Sequence, residues 1–251
     1  MAAAIAVCGL LVYFEYSSET GDPAALAGRQ RGGLVGYWKF EGAGVADSSG
    51  KNNDGVYVNS GPVGALFGQA LKLKGDNNSH VSIPATQSLA AFSDEITVTA
   101  WVLPRVVPTD YRVVVSRQIG TLKHPDQFYL GFGPANGEIH YKWHLGTIED
   151  GQVHDRAIYT GDPVAGRWIN MAGVYDGKTM RLYINGIEIG RQKQTGRIQV
   201  DDNPVTIGAE ENGAEPLVVE GEFDGLIDEV RIYNRALSPA EVKAIFEQRP
   251  T

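Results

Sequence analysis

The stretch that most constrains this chain lies near its end: Glu222-Phe-Asp-Gly-Leu-Ile-Asp-Glu-Val-Arg-Ile-Tyr-Asn-Arg-Ala-Leu-Ser-Pro-Ala-Glu241. Asp224-Gly225 has the composition of a tight turn, because glycine tolerates positive φ and aspartate can bond the backbone ahead of it. Leu226 to Tyr233 then reads as a strand of period 2. On that period Leu226, Asp228, Val230 and Ile232 share one side, and Ile227, Glu229, Arg231 and Tyr233 the other. Ser238-Pro239-Ala240-Glu241 is a helix start, with serine as cap, proline at the first helical position and glutamate three residues after the cap. Val242, Ile245 and Phe246 follow at helical spacing, so a short amphipathic helix closes the chain.

Asp228 is the odd member of its strand face, and a carboxylate placed among apolar side chains needs a partner. Backbone amides, an arginine or a bound cation would each serve.

Most of the remaining sequence alternates in the same way. Asp94 to Pro104 places Ile96, Val98, Ala100 and Val102 on one side and Thr97, Thr99, Trp101 and Leu103 on the other. Gly137 to Leu145 divides Ile139, Tyr141 and Trp143 from His140, Lys142 and His144. Arg167 to Gly177 and Lys178 to Gly186 form a meander through Asp176-Gly177 and Asn185-Gly186, which are strong short-range hairpin signals. Gly146 to Gly166 is polar and reads as a long loop or an excursion of strands.

An earlier strand, Leu34 to Glu41, puts Trp38 and Phe40 on one face and Glu41 on the opposite one. The loop after it, Asp47-Ser-Ser-Gly-Lys-Asn-Asn53-Asp54-Gly55, is crowded with short side-chain oxygens and glycines. That composition suits either a turn held by Asx hydrogen bonds or the wrapping of a hard cation.

"FDGLIDEVRIYNRALSPAEV" resembles the C-terminal signature of laminin-G-like jelly-roll domains, in the concanavalin A-like lectin/glucanase superfamily. "GYWKFEG…ADSSGKNNDGV" resembles the opening signature of the same family, with Lys51 where many members carry asparagine. Further blocks follow in the family's order from about Gly33 to Gln248, although Asn170 stands where histidine is common. The resemblance implies an all-β jelly roll, two antiparallel sheets packed face to face with a short C-terminal helix, whose first and last strands are neighbours. It also implies one structural Ca²⁺ joining the two ends of the domain, with Asp228 as the foremost ligand, then Asp47 and Asn53, then Glu41.

The domain organisation reads as an apolar segment 1–14, a linker 15–33 and one domain over 34–251. The 13 uncharged residues from Ala2 to Phe14 are too few to span a bilayer, which needs about 20. They have the character of an export signal or membrane anchor, or of a segment that adds to a neighbouring subunit. With Cys8 as its one cysteine, the chain forms no disulfide with itself.

Composition narrows the function. The net charge of −8 is spread along the chain, which disfavours nucleic acid and anionic membrane surfaces, since both need clustered Lys and Arg. No strand carries acidic residues at the alternate positions a glucanase uses, and no metalloprotease or serine-hydrolase motif occurs. His140 and His144 share a face but stand about 13 Å apart at 3.3 Å per residue, too far for one metal ion. No catalytic residue is assigned.

The resemblance implies a binding or adhesion module outside the cell or on its surface, most of all a carbohydrate-binding one, and the sequence adds the evidence against catalysis and a surface-compatible composition. Its expected partner is a glycan or a cell-surface protein, with Trp143 and its neighbour Tyr141 as candidates for stacking on sugar rings. The reading from a different class is a structural subunit of a surface or filament assembly, joined through residues 1–14.

Overall fold

The computed structural model describes residues 32–65, 68–76, 78–90, 94–118, 126–199, 202–211 and 219–248. The segment 1–14 and the linker up to residue 31, with the membrane or assembly roles expected of them, lie outside the described residues. Among the described residues no helix is long and apolar enough to cross a membrane.

The chain first lays down β1 (Leu34–Trp38), β2 (Val56–Val58), β3 (Gly61–Ala65), β4 (Gly68–Lys74), β5 (His80–Ile83) and β6 (Ile96–Pro104). A meander follows: β7 (Arg112–Gln118), β8 (Asp126–Ala135), β9 (Glu138–Glu149) and β10 (Gln152–Thr160). Next come β11 (Ile169–Tyr175), β12 (Thr179–Ile184), β13 (Ile187–Lys193) and β14 (Arg197–Ile198). The chain ends with β15 (Val205–Ile207), β16 (Glu210–Glu211), β17 (Val219–Glu220), β18 (Asp224–Tyr233) and helix α1 (Pro239–Glu247).

Two large antiparallel sheets result, besides a small two-stranded one of β16 and β17. The first runs β13-β12-β11-β6-β18-β4-β3, with β1 also on β18; the second runs β10-β9-β8-β7-β15-β5-β2, with β14 on β9. This is the expected jelly roll, and its first and last strands do pair, Trp38 opposite Val230 and Tyr37 opposite Arg231. The core fills the space between the sheets with the side chains that alternation assigned to it, among them Val98, Ala100 and Val102 from β6 and Tyr141 and Trp143 from β9. Trp143 fits because Gly173 faces it: a Cβ there would lie 2.3 Å from the indole.

Helix α1 covers the outer face of the first sheet. Its capping box is complete, Ser238 accepting from the Glu241 N–H while Glu241 accepts from the Ser238 N–H. Val242 and Ile245 pack with Val174, Tyr183 and Tyr233, and Phe246 stacks on Trp101 at 5.7 Å.

Three expectations are corrected or resolved. Asp224-Gly225 is no turn; it opens β18. Gly225 has φ of +149°, and a Cβ on it would lie 2.1 Å from the Leu103 carbonyl oxygen, so the residue is there for close strand approach. The polar stretch after Gly146 is an excursion of strands, because Asp150-Gly151 supplies two consecutive positive φ values and folds β9 and β10 into a hairpin.

The third concerns Asp228. A bulge interrupts β18 between Asp228 and Arg231, with Glu229 at φ of +53°. The extra residue shifts the alternation, so Ile227, Val230 and Ile232 face the core together. Asp228 pairs with Trp101, whose strand neighbours Ala100 and Val102 point inward, and thus stands on the outer face of the first sheet.

Candidate ligand and cation sites

β18 has two partners along one edge. β4 pairs with it as far as Ile227 opposite Leu71, and β1 takes over from Val230. Asp228 and Glu229 lie at the fork where one partner gives way to the other. Asp228 is 1% exposed and accepts the Glu229 backbone N–H at 2.7 Å. Burial pushes its carboxyl up to about 8; the Glu229 N–H opposes this, and the charges of Glu229 and Glu41 add to it. Glu41 stands at the same fork, accepting the Gln69 N–H at 3.1 Å.

Glu229 has compensation that Asp228 lacks. Its carboxylate accepts the Tyr37 hydroxyl at 2.5 Å and pairs with the Arg231 guanidinium, which lies 4.2 Å from the Tyr37 ring centroid. Among the described residues no cation pairs with Asp228.

Asp47 and Asn53 are occupied elsewhere. Asp47 accepts from the Tyr37 N–H, the Ser49 N–H and hydroxyl, and the Asn53 N–H, at 2.7 to 3.0 Å. Asn53, 1% exposed, donates to the Val35 carbonyl and accepts from Thr86 and Ser88, while its own carbonyl takes the Trp38 indole N–H. These bonds fasten the loop along the free edge of β1. The Asx reading describes this loop, and the four expected calcium ligands do not form one set.

The donor chemistry at the fork still suits a hard cation, since two carboxylates influence one another there and one is buried with only the more distant charge of Arg231, itself paired with Glu229, to offset it. Among the described residues no group of three or more His, Cys, Asp or Glu is placed to hold a metal. A cation at the fork would therefore draw on backbone carbonyls and water besides Asp228 and Glu41.

The aromatic candidates are corrected too. Trp143 and Tyr141 are 0% and 4% exposed and belong to the inter-sheet core. The solvent side of the same strand carries the other set. Lys142 places its ammonium 4.2 Å from the Tyr129 ring centroid and 5.7 Å from that of Tyr159. Tyr159 is 39% exposed. His144 pairs with the Asp155 carboxylate through Nε2, and His140 Nδ1 lies 3.2 Å from the Gly161 carbonyl oxygen. Gly133 leaves room for this cluster, because a Cβ there would come within 2.9 Å of the Lys142 stem and 3.1 Å of Tyr159. Alternation placed His140, Lys142 and His144 here, but Tyr159 and Asp155 arrive from β10, whose pairing required the Asp150-Gly151 turn.

The family model described as the concanavalin A-like lectin/glucanases superfamily matches residues 75–243. The chain belongs to this superfamily.

Solved structures share the fold at low identity. Domain 4 of AbnA, an extracellular arabinanase from Geobacillus stearothermophilus solved with arabinotriose, is 19% identical with a TM-score of 0.63, over 84% of this chain and 97% of that one. The binding domain of Paraclostridial Mosquitocidal Protein 1 is 20% identical with a TM-score of 0.64, over 86% of this chain and 52% of its own. The receptor-binding domain of botulinum neurotoxin C/D mosaic serotype is 13% identical with a TM-score of 0.61, over 86% and 51%. The chain thus spans about half the length of these toxin domains. No curated protein matches it.

Proposed function

We propose that this superfamily member is a non-catalytic module that binds carbohydrate on the outer face of its second sheet, as part of an exported or cell-surface protein. The observation that carries the reading is the Tyr129–Lys142–Tyr159 cluster. An exposed tyrosine ring held beside an ammonium group, with His140 on the same face, offers a sugar both a stacking face and hydrogen-bonding groups. The relatives lend support: one is an arabinanase domain solved with an oligosaccharide, and others are receptor-binding domains of toxins.

The proposal extends to a structural Ca²⁺ at the β1–β18–β4 fork, held by Asp228 and Glu41 with backbone oxygens. Neutralising Asp228 there would remove the cost of its burial.

The deciding experiment is an oligosaccharide-binding screen on the intact chain and on Tyr159→Ala. Binding to at least one neutral oligosaccharide, weakened by the substitution, is expected. A screen without any hit, or a hit indifferent to Tyr159→Ala, would remove the sheet face from consideration.

A further inference from the structure

The second candidate surface lies at the open seam of the sandwich. β10 ends one sheet and β13 ends the other, and the two free edges meet there. Gly190 of β13 sits so close to β10 that a Cβ on it would be 2.8 Å from Ile158 and 2.9 Å from Thr160. Ile158 is opposite the core residue Trp143, so Arg156 and His154, two and four residues earlier on the same side, also turn toward the seam. Where β13 ends at Lys193 the edges part, leaving a pocket of about 380 Å³ lined by His154, Arg156, Lys193, Gln194 and Thr195.

The floor is held in place. Gln194, 1% exposed, directs Nε2 to the Thr147 hydroxyl at 2.8 Å and to the His154 carbonyl at 3.0 Å. Its buried Oε1 has no hydrogen-bond partner among the described residues. The walls are cationic. Arg156 and Lys193 are both exposed, and neither forms an ion pair with a described residue. Among the described residues no acidic side chain lines the pocket, although the Glu149 carboxylate, which accepts the Thr195 hydroxyl at 2.5 Å, stands beside it and keeps its charge. In a chain with net charge −8, two unpaired cations facing one cavity form a local site for an anion.

We infer that the seam pocket between β10 and β13 binds the anionic group of an acidic sugar, with Arg156 gripping the carboxylate or sulfate and Lys193 adding charge. The inference rests on the carbohydrate reading above and names a ligand class for it. Guanidinium matches the planar, two-oxygen geometry of such groups, and the volume falls in the range of small-molecule sites. Asp155 and Tyr159 alternate with Arg156 and His154 on β10, so one strand would present an acidic oligosaccharide to the seam and to the sheet face from its two sides.

The experiment titrates the intact chain with a galacturonate trimer, a sulfated hexasaccharide, a neutral arabino-oligosaccharide and inorganic phosphate. It is repeated on Arg156→Ala and Lys193→Ala, exposed positions at which the fold should survive, with circular dichroism as the check. The expected result is binding of at least one acidic sugar that weakens about tenfold or more in each variant and with added salt, the neutral sugar being unaffected. Absent acidic-sugar binding, or acidic-sugar binding indifferent to both substitutions, overturns the inference. Neutral-sugar binding surviving in that case would leave the carbohydrate reading standing. Phosphate binding as tightly as the best acidic sugar would also overturn it, marking a site for free anions.

Discussion

Asp228 accepts the backbone N–H of its own neighbour Glu229 at 2.7 Å, across a bulge residue with φ of +53°. The bond satisfies one carboxylate oxygen but brings no positive charge. The folded chain therefore holds a proton on Asp228 more tightly than the unfolded chain does, the carboxyl being raised to about 8. Stability from this group is complete below about pH 4 and is lost as pH rises through about 8. In calcium-free buffer Asp228→Asn should thus raise the melting temperature at pH 8 and barely change it at pH 4. Thermal unfolding at both pH values checks this; a variant destabilised equally at both would mean that the carboxylate is compensated.

The same substitution tests the cation. Calcium at a hundredfold excess over its dissociation constant should stabilise the unaltered chain by about 2.7 kcal/mol and Asp228→Asn by much less. A full calcium response surviving in Asp228→Asn, or none in the unaltered chain, would sink the fork as the site.

Asn53→Ala should destabilise by about 3 kcal/mol irrespective of calcium, since it strips partners from the Val35 carbonyl and from Thr86 and Ser88 in a buried setting. Denaturant unfolding with and without chelator measures it. A loss seen only in the presence of calcium would return Asn53 to the ligand set.

Gly225→Ala should cost about 3 kcal/mol or more. The added methyl meets the Leu103 carbonyl oxygen at 2.1 Å, and alanine rarely adopts a φ of +149°. Because both problems are backbone problems, side-chain repacking cannot relieve them. A melting temperature within a degree or two of the parent would refute the close approach of β6 and β18.

Tyr159→Ala should weaken neutral-oligosaccharide binding about fivefold, the value of one aromatic contact of roughly 1 kcal/mol, with little change in stability because the ring is 39% exposed. Trp143→Ala should do the reverse. It removes an indole from the core at a cost of about 3–5 kcal/mol, and any loss of binding should follow from unfolding alone.

Local pattern determined a good deal by itself. Alternation in β6 and β9 assigned inward and outward faces, the Asp176-Gly177 and Asn185-Gly186 turns set a meander, and Ser238-Pro239-Ala240-Glu241 started the helix. These are short-range signals, carried by residues a few positions apart. Even the Asp150-Gly151 hairpin was written there, in the same two-residue turn code. What only the tertiary structure decided depends on residues distant in sequence. The bulge in β18 arises where β1 and β4 share one strand edge, and that single residue moved Asp228 from the predicted core face to the outer face. The loop bonds of Asp47 and Asn53 were likewise hidden, because their composition suits a calcium loop and an Asx turn equally until Tyr37, Val35 and Ser88 come into reach. The seam pocket needs two strands some forty residues apart to end side by side. Periodicity records which way a side chain points along its own strand, and long-range pairing determines what it meets there.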